Sequence, residues 1–319
     1  MPSLEQQLLT RERRKFSDPD VTADGKKRAE VAFRGFQTLW FNTGTLCNLE
    51  CLNCYIESSP RNDRLVYLTL SEVTSYLIEA DSLTPPPAEI GFTGGEPFMN
   101  PDIMGMLDES LRMGFKVLVL TNAMKPMHRH KAALLEMQRQ YPAQLALRVS
   151  LDHYRQAGHE ELRGPRSWEP AIAGLKWLSR NDFAVSVAGR MIWGETTAAA
   201  RDGYRRLYSA LEIGIDANDP GQTILFPEMD EQRDVAEITG ACWQILGVDP
   251  STIMCATSRM VVKRKGEASP QVAACTLIPY DPAFDMGRTL VQAAKTVKLN
   301  HPHCARFCVL GGGSCSQAT

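Results

Sequence analysis

Three cysteines stand within eight residues, Cys47, Cys51 and Cys54, and three more, Cys304, Cys308 and Cys315, lie in the last sixteen. Cys242, Cys255 and Cys275 lie between them, which makes nine in all. Thiols used only for packing scatter along apolar stripes. Thiols clustered at short spacing suit metal chemistry, because thiolate is a soft, charged donor for zinc and iron. An odd total argues against a disulfide framework. The first cluster reads C-x3-C-x2-C. A zinc site takes four ligands, commonly as C-x2-4-C pairs, and an iron–sulfur cubane confined to electron transfer takes four thiolates. Three thiolates on one loop can hold three irons and leave the fourth open to a small molecule. A structural zinc completed from elsewhere in the chain is the alternative. Cys242, beside Trp243 in an apolar segment, reads as a core thiol.

The elements that must position these thiols alternate in type. The first 35 residues are polar and charged, an arm ahead of the fold. Strand-like runs then fall at 36–41, 90–93, 116–120, 145–151, 184–192 and 223–226. Helix-like runs at 68–83, 101–113, 129–140, 168–179 and 197–211 separate them, the first capped by Thr69 or Ser71. Such alternation makes right-handed βαβ units and a parallel sheet. Six strands are too few for a closed eight-stranded barrel and fit an open one. The expected fold is α/β, a partial (β/α)6 TIM-type barrel over 36–230, with its chemistry at the C-terminal ends of the strands. The rhythm changes near residue 230. A helix at 235–246, a hairpin of strands at 260–263 and 271–275, a helix near 289–297 and a Gly- and Cys-rich tail follow. Residues 231–319 therefore read as a small cysteine-rich α+β module.

Polar groups at the expected strand ends are candidates for ligand contact. Gly94, Gly95 and Glu96 follow the second strand, where two glycines let backbone approach a ligand and a carboxylate can accept from an ammonium. Thr121 and Asn122 end the third strand, Ser150 and Asp152 the fourth, and Arg190 sits late in the fifth. His128, His130, His301 and His303 fall in polar loops and read as solvated. Lys263, Arg264 and Lys265 read as a solvated hairpin tip.

Together, the C-x3-C-x2-C loop after a first strand and the Gly-Gly-Glu after a second resemble the radical S-adenosylmethionine (radical SAM) enzymes. The resemblance implies a [4Fe–4S] cluster on Cys47, Cys51 and Cys54 whose open iron chelates SAM. It implies reductive cleavage of SAM to a 5′-deoxyadenosyl radical that abstracts hydrogen from a peptide or small-molecule substrate. It places Tyr55 beside the adenine, Thr93, Gly94, Gly95 and Glu96 at the methionine amino group, Ser150 at the ribose and Arg190 at the methionine carboxylate. Asn122 joins them as a further cofactor contact. The C-terminal cysteines, interleaved with Gly311, Gly312 and Gly313, resemble the SPASM/twitch modules. That implies an auxiliary [4Fe–4S] cluster drawn from Cys255, Cys275, Cys304, Cys308 and Cys315, with a structural zinc as the alternative. Oxidoreductase-type chemistry and an electron donor such as flavodoxin or ferredoxin follow from the same likeness, and the charged N-terminus points to a cytoplasmic setting. Methyl or sulfur transfer, or a non-catalytic iron–sulfur or zinc protein, are the other classes.

Composition limits the partners. The 35 basic and 37 acidic side chains leave a net charge of −2, with no electrostatic footprint for nucleic acid or an anionic membrane. No apolar run approaches the length of a membrane span, and the first twenty residues lack the apolar core of a signal peptide.

Overall fold

Runs such as Val117-Leu118-Val119 and Leu145-Ala146-Leu147 are apolar on both faces, the pattern of strands covered on each side. The computed structural model describes residues 14–230 and 233–314. Six such strands, β1 (Thr38–Asn42), β2 (Glu89–Thr93), β3 (Lys116–Thr121), β4 (Leu145–Ser150), β5 (Ala184–Arg190) and β6 (Thr223–Phe226), pair in sequence order, all parallel. Helices α1 (Leu70–Asp81), α2 (Ile103–Arg112), α3 (Lys131–Gln140), α4 (Gln156–Arg163), α5 (Trp168–Arg180) and α6 (Thr197–Leu211) connect them. β6 does not return to β1, so the barrel is open, as the strand count implies. Thr69 caps α1 through a reciprocal box with Glu72, which fixes where the first crossover begins. Leu39, Phe41, Ile90, Phe92, Val119 and Leu147 are fully buried in the core that sets the strand ends rigidly in place.

The sheet does not stop at residue 230. β7 (Ser258–Val262) lies parallel to β1, pairing Thr38 with Ser258 and Trp40 with Met260. β8 (Gln271–Ala273) and β9 (Asp285–Gly287) continue antiparallel from it. Nine strands thus form one sheet. The arm is tied in as well: Glu30–Val31 pairs with Val297–Lys298, and Arg28 forms a buried ion pair with Glu237 at 2.6 Å.

Three expectations change. The helix at 235–246 shrinks to Cys242–Leu246, because Ile238 and Thr239 are spent on the arm: the Ala29 N–H donates to the Ile238 carbonyl, and Arg28 bridges Thr239. β-branched residues followed by Gly240 do not favour helix. The helix at 289–297 shrinks to Leu290–Ala293, its end taken by the short pairing at Val297. The 263–265 tip is not simply solvated, since Lys263 pairs with Glu72 and Arg264 pairs bidentately with Asp285. No helix among the described residues is long and apolar enough to cross a membrane.

Candidate active site

Backbone pairing between two strand ends shapes the cysteine loop. Past β1, Thr43 donates to the Thr93 carbonyl from both its N–H and its hydroxyl. The N–H groups of Gly95 and Glu96 donate to the carbonyls of Gly44 and Leu46. This closeness requires glycine. A Cβ on Gly95 would stand 2.2 Å from the Leu46 carbonyl oxygen, and Gly94 has φ +138° with the Gly44 oxygen 2.5 Å from its Cβ position. The Gly-Gly pair is therefore the seat of the cysteine loop, whatever else it contacts.

Glu96 is buried and faces inward. Its Oε1 accepts from the Thr121 hydroxyl at 2.8 Å and the Phe98 N–H at 3.3 Å, and its Oε2 from the Asn122 N–H at 2.8 Å. The carboxylate thus clamps the end of β2 to the end of β3, and it is not among the groups lining the cleft described next. Burial pushes its pKa up to about 7, against the three donors that favour the anion. Asn122 in turn donates from Nδ2 to Asn48 at 2.9 Å, with the Cys47 sulfur 4.0 Å away.

A cleft of about 1030 Å³, counted to its open mouth, lies at the C-terminal ends of the strands. Cys47, Cys51 and Cys54 line it, and so do Tyr55, Thr93, Gly94, Gly95, Asn122, Ser150 and Arg190. The structure thus brings together every expected residue of this site except the Glu96 side chain. Tyr55 Oη sits 3.5 Å from the Thr93 hydroxyl. Arg190 is 8% exposed, and its Nε and Nη2 are buried with no hydrogen-bond partner. Burial lowers its pKa. Phe226, Met229, Leu277 and Phe307 add apolar lining.

Arg163 was not legible in the sequence as a site residue. It ends α4, a short polar helix that hydrophobic periodicity does not reveal; Gly164 and Pro165 directly after it are the stop signal that could have marked it. Its guanidinium grips Asp152 bidentately at 2.7 and 3.1 Å and faces the cleft. Burial opposes its charge, yet Asp152 and the neighbouring Cys51 hold its pKa above the ordinary arginine value. Burial pushes the Cys47 thiol up to about 12, with Glu96 adding to it; burial also raises Cys51, with Arg163 opposing.

The C-terminal cysteines form a second, tightly packed pocket lined by Cys255, Cys275, Cys304 and Cys308. Cys255 sits on the turn Met254–Ala256, Cys275 follows β8, and Cys304 and Cys308 lie one turn apart on the π-helix Cys304–Leu310. The remaining lining is mostly apolar, and His303, expected in solvent, is buried there. Burial pushes the Cys255 thiol up to about 11 and Cys304 well above its ordinary value. Cys315 lies outside the described residues. Among those described, no three His, Cys, Asp or Glu side chains converge on a site for a single metal ion. Leu277 lines both cavities, and its N–H donates to the Cys275 sulfur at 3.3 Å.

Comparison with known proteins agrees with this geometry. Residues 41–202, 162 of 319, match the family model of the Radical SAM superfamily. The subtilosin biosynthesis protein AlbA of Bacillus subtilis is 33% identical over 144 residues, 44% of this chain and 30% of AlbA. An AdoMet-dependent heme synthase of Methanosarcina barkeri is 28% identical over 147 residues, 44% of this chain and 38% of that protein. The matches thus span well under half the length of these relatives. Streptococcus suis SuiB bound to S-adenosylmethionine superposes with a TM-score of 0.54 at 14% identity, covering 80% of this chain and 63% of SuiB. The protein anSMEcpe with bound AdoMet gives 0.55 at 13% identity, covering 80% and 76%. At such identities these two structures speak for the fold. With its family model matched across just over half its length, the chain belongs to the radical SAM superfamily, whose cofactors, SAM and a [4Fe–4S] cluster, it shares.

Proposed function

We propose that Cys47, Cys51 and Cys54 hold the SAM-binding cluster and that the cleft beside them binds SAM for reductive cleavage, with hydrogen abstraction from a peptide substrate. One observation carries this reading: a buried guanidinium, Arg190, with two N–H-bearing nitrogens unpartnered, in the same cleft as three cysteines from one loop. A buried cation lacking partners is costly, and a carboxylate such as that of SAM's methionine would satisfy it. The residues therefore fit the group. When bound, the cluster supplies the electron that splits the sulfonium into methionine and a 5′-deoxyadenosyl radical.

The chain's own residues do the rest. Arg190 holds the methionine carboxylate, the backbone of Thr93, Gly94 and Gly95 faces the amino group, Ser150 takes the ribose and Tyr55 borders the adenine. Glu96 keeps Thr121 and Asn122 in register, and the wall of Phe226, Met229, Leu277 and Phe307 keeps water from the radical. Residues 36–230 act as the SAM-cleaving core. Residues 231–319 act as a SPASM/twitch-like unit holding an auxiliary [4Fe–4S] cluster on Cys255, Cys275, Cys304 and Cys308. Four thiolates complete a cubane, which suits electron transfer better than direct ligation of substrate. A peptide substrate is favoured by AlbA, named for the biosynthesis of a bacteriocin, and by SuiB, solved with its precursor peptide SuiA. A flavodoxin or ferredoxin in the cytoplasm would supply the electrons.

The test is cleavage of SAM by anaerobically reconstituted protein with dithionite. Wild type should release 5′-deoxyadenosine, and Cys51→Ala should release none, because two thiolates cannot hold the cluster with its open iron. Undiminished 5′-deoxyadenosine from Cys51→Ala would remove the assignment.

A further inference from the structure

Arg259 is one of the largest fully buried side chains, 1% exposed on β7. Its hydrogen bonds all go to main-chain carbonyls: Nη1 to Cys255 and Ser258, Nε to Ala293 at 3.0 Å, Nη2 to Lys295 at 2.7 Å. The guanidinium also lies over the Phe33 ring, 4.5 Å from its centroid. No Asp or Glu among the described residues forms an ion pair with it, whereas the buried Arg28 has Glu237 and Arg163 has Asp152. Carbonyl dipoles and a ring face solvate a cation without cancelling its charge. The ionisable groups that feel that charge are the thiols of Cys255, whose carbonyl Nη1 contacts, and Cys275.

We infer that Arg259 is a positioning residue for the four-cysteine pocket, a cation that offsets the negative charge of the group held there and raises its reduction potential. This rests on the auxiliary-cluster reading given above. Four thiolates outweigh the core charge of a cubane, so the assembly is anionic and each added electron makes it more so. Net charge and surrounding hydrogen bonds set the potential of such a cluster. A fixed, uncancelled cation in a dry pocket favours the reduced form. In the SAM cleft Arg163 is neutralised by Asp152, while Arg190, paired with no Asp or Glu among the described residues, is left to a ligand carboxylate.

The experiment is a redox titration followed by electron paramagnetic resonance on the full chain, with Cys47, Cys51 and Cys54 changed to Ala so that only the second site is read. Arg259→Met should lower the midpoint, changing the reduced-to-oxidised ratio at fixed potential by tenfold or more, ~59 mV for a one-electron couple. Arg259→Lys, which keeps the charge, should stay near the parent. Should Arg259→Met fail to retain iron, Arg259→Gln and Arg259→Lys decide. Retention or a near-parent potential in Lys alone supports the charge, and equal behaviour of the two overturns it. Iron bound at an unshifted potential in Arg259→Met overturns the role of Arg259 alone. A parent that binds no iron in this background overturns the auxiliary-cluster reading itself.

Discussion

Arg190 and Glu96 are both buried charged groups at strand ends, and their surroundings give them opposite duties. Arg190 lacks partners for two of its nitrogens, and in the proposed function a ligand carboxylate recovers that cost. Arg190→Ala should weaken SAM binding by about 1.5–3 kcal/mol, roughly tenfold or more in Kd. Calorimetric titration of SAM into reconstituted protein reads this directly, and unchanged affinity would make Arg190 a structural arginine. Glu96 is fully partnered and serves the scaffold. Its pKa rises from an ordinary 4.5 to about 7, so the folded chain holds that proton more tightly than the unfolded one. Its contribution to stability is therefore complete below about 4.5 and lost as pH rises through about 7. The melting temperature of the metal-free chain, compared with Glu96→Gln, should show the wild type losing ground across that window. A difference that stays flat with pH would contradict the burial argument.

At the scale of elements, the seat of the cysteine loop is a contact between the ends of β1 and β2 rather than a property of either. Gly95→Ala places a Cβ against the Leu46 carbonyl, which is backbone and cannot swing aside. A cost of about 1–3 kcal/mol is expected, together with poorer retention of iron by the loop, read as melting temperature and iron content after reconstitution. Normal iron and stability would mean the loop can be seated without the glycine. The 235–246 segment teaches the converse. Its apolar residues suggest a helix, but hydrogen bonding to the arm at 28–29 recruits Ile238 and Thr239 instead, and only Cys242–Leu246 remains helical.

For the whole molecule, two thiol sites share one continuous sheet, with β7 joining them through its pairing with β1. Reconstituted protein should hold about eight irons, two cubanes. The triple change of Cys47, Cys51 and Cys54 to Ala should leave about four, and so should Cys255→Ala. Cys315→Ala should keep about eight, because four other thiols already line the second pocket. Zinc in place of the second set of irons, or loss of four irons in Cys315→Ala, would refute the four-thiol assignment. Iron and zinc analysis of the same samples settles the count.

The sequence by itself determined the alternation of strands and helices and the open barrel. Apolar periodicity and turn residues act over a few positions, and crossover handedness follows from chain chirality. It also determined the first cysteine set and the Gly-Gly-Glu, because residues of one loop keep their spacing in the linear chain. Only the tertiary structure decided which C-terminal thiols share a pocket, that Glu96 turns inward, and that Arg163, Leu277 and Arg259 stand at the two sites. Those residues come from separate elements, and their neighbours are chosen by strand pairing and packing across long sequence separations. No local spacing encodes that choice.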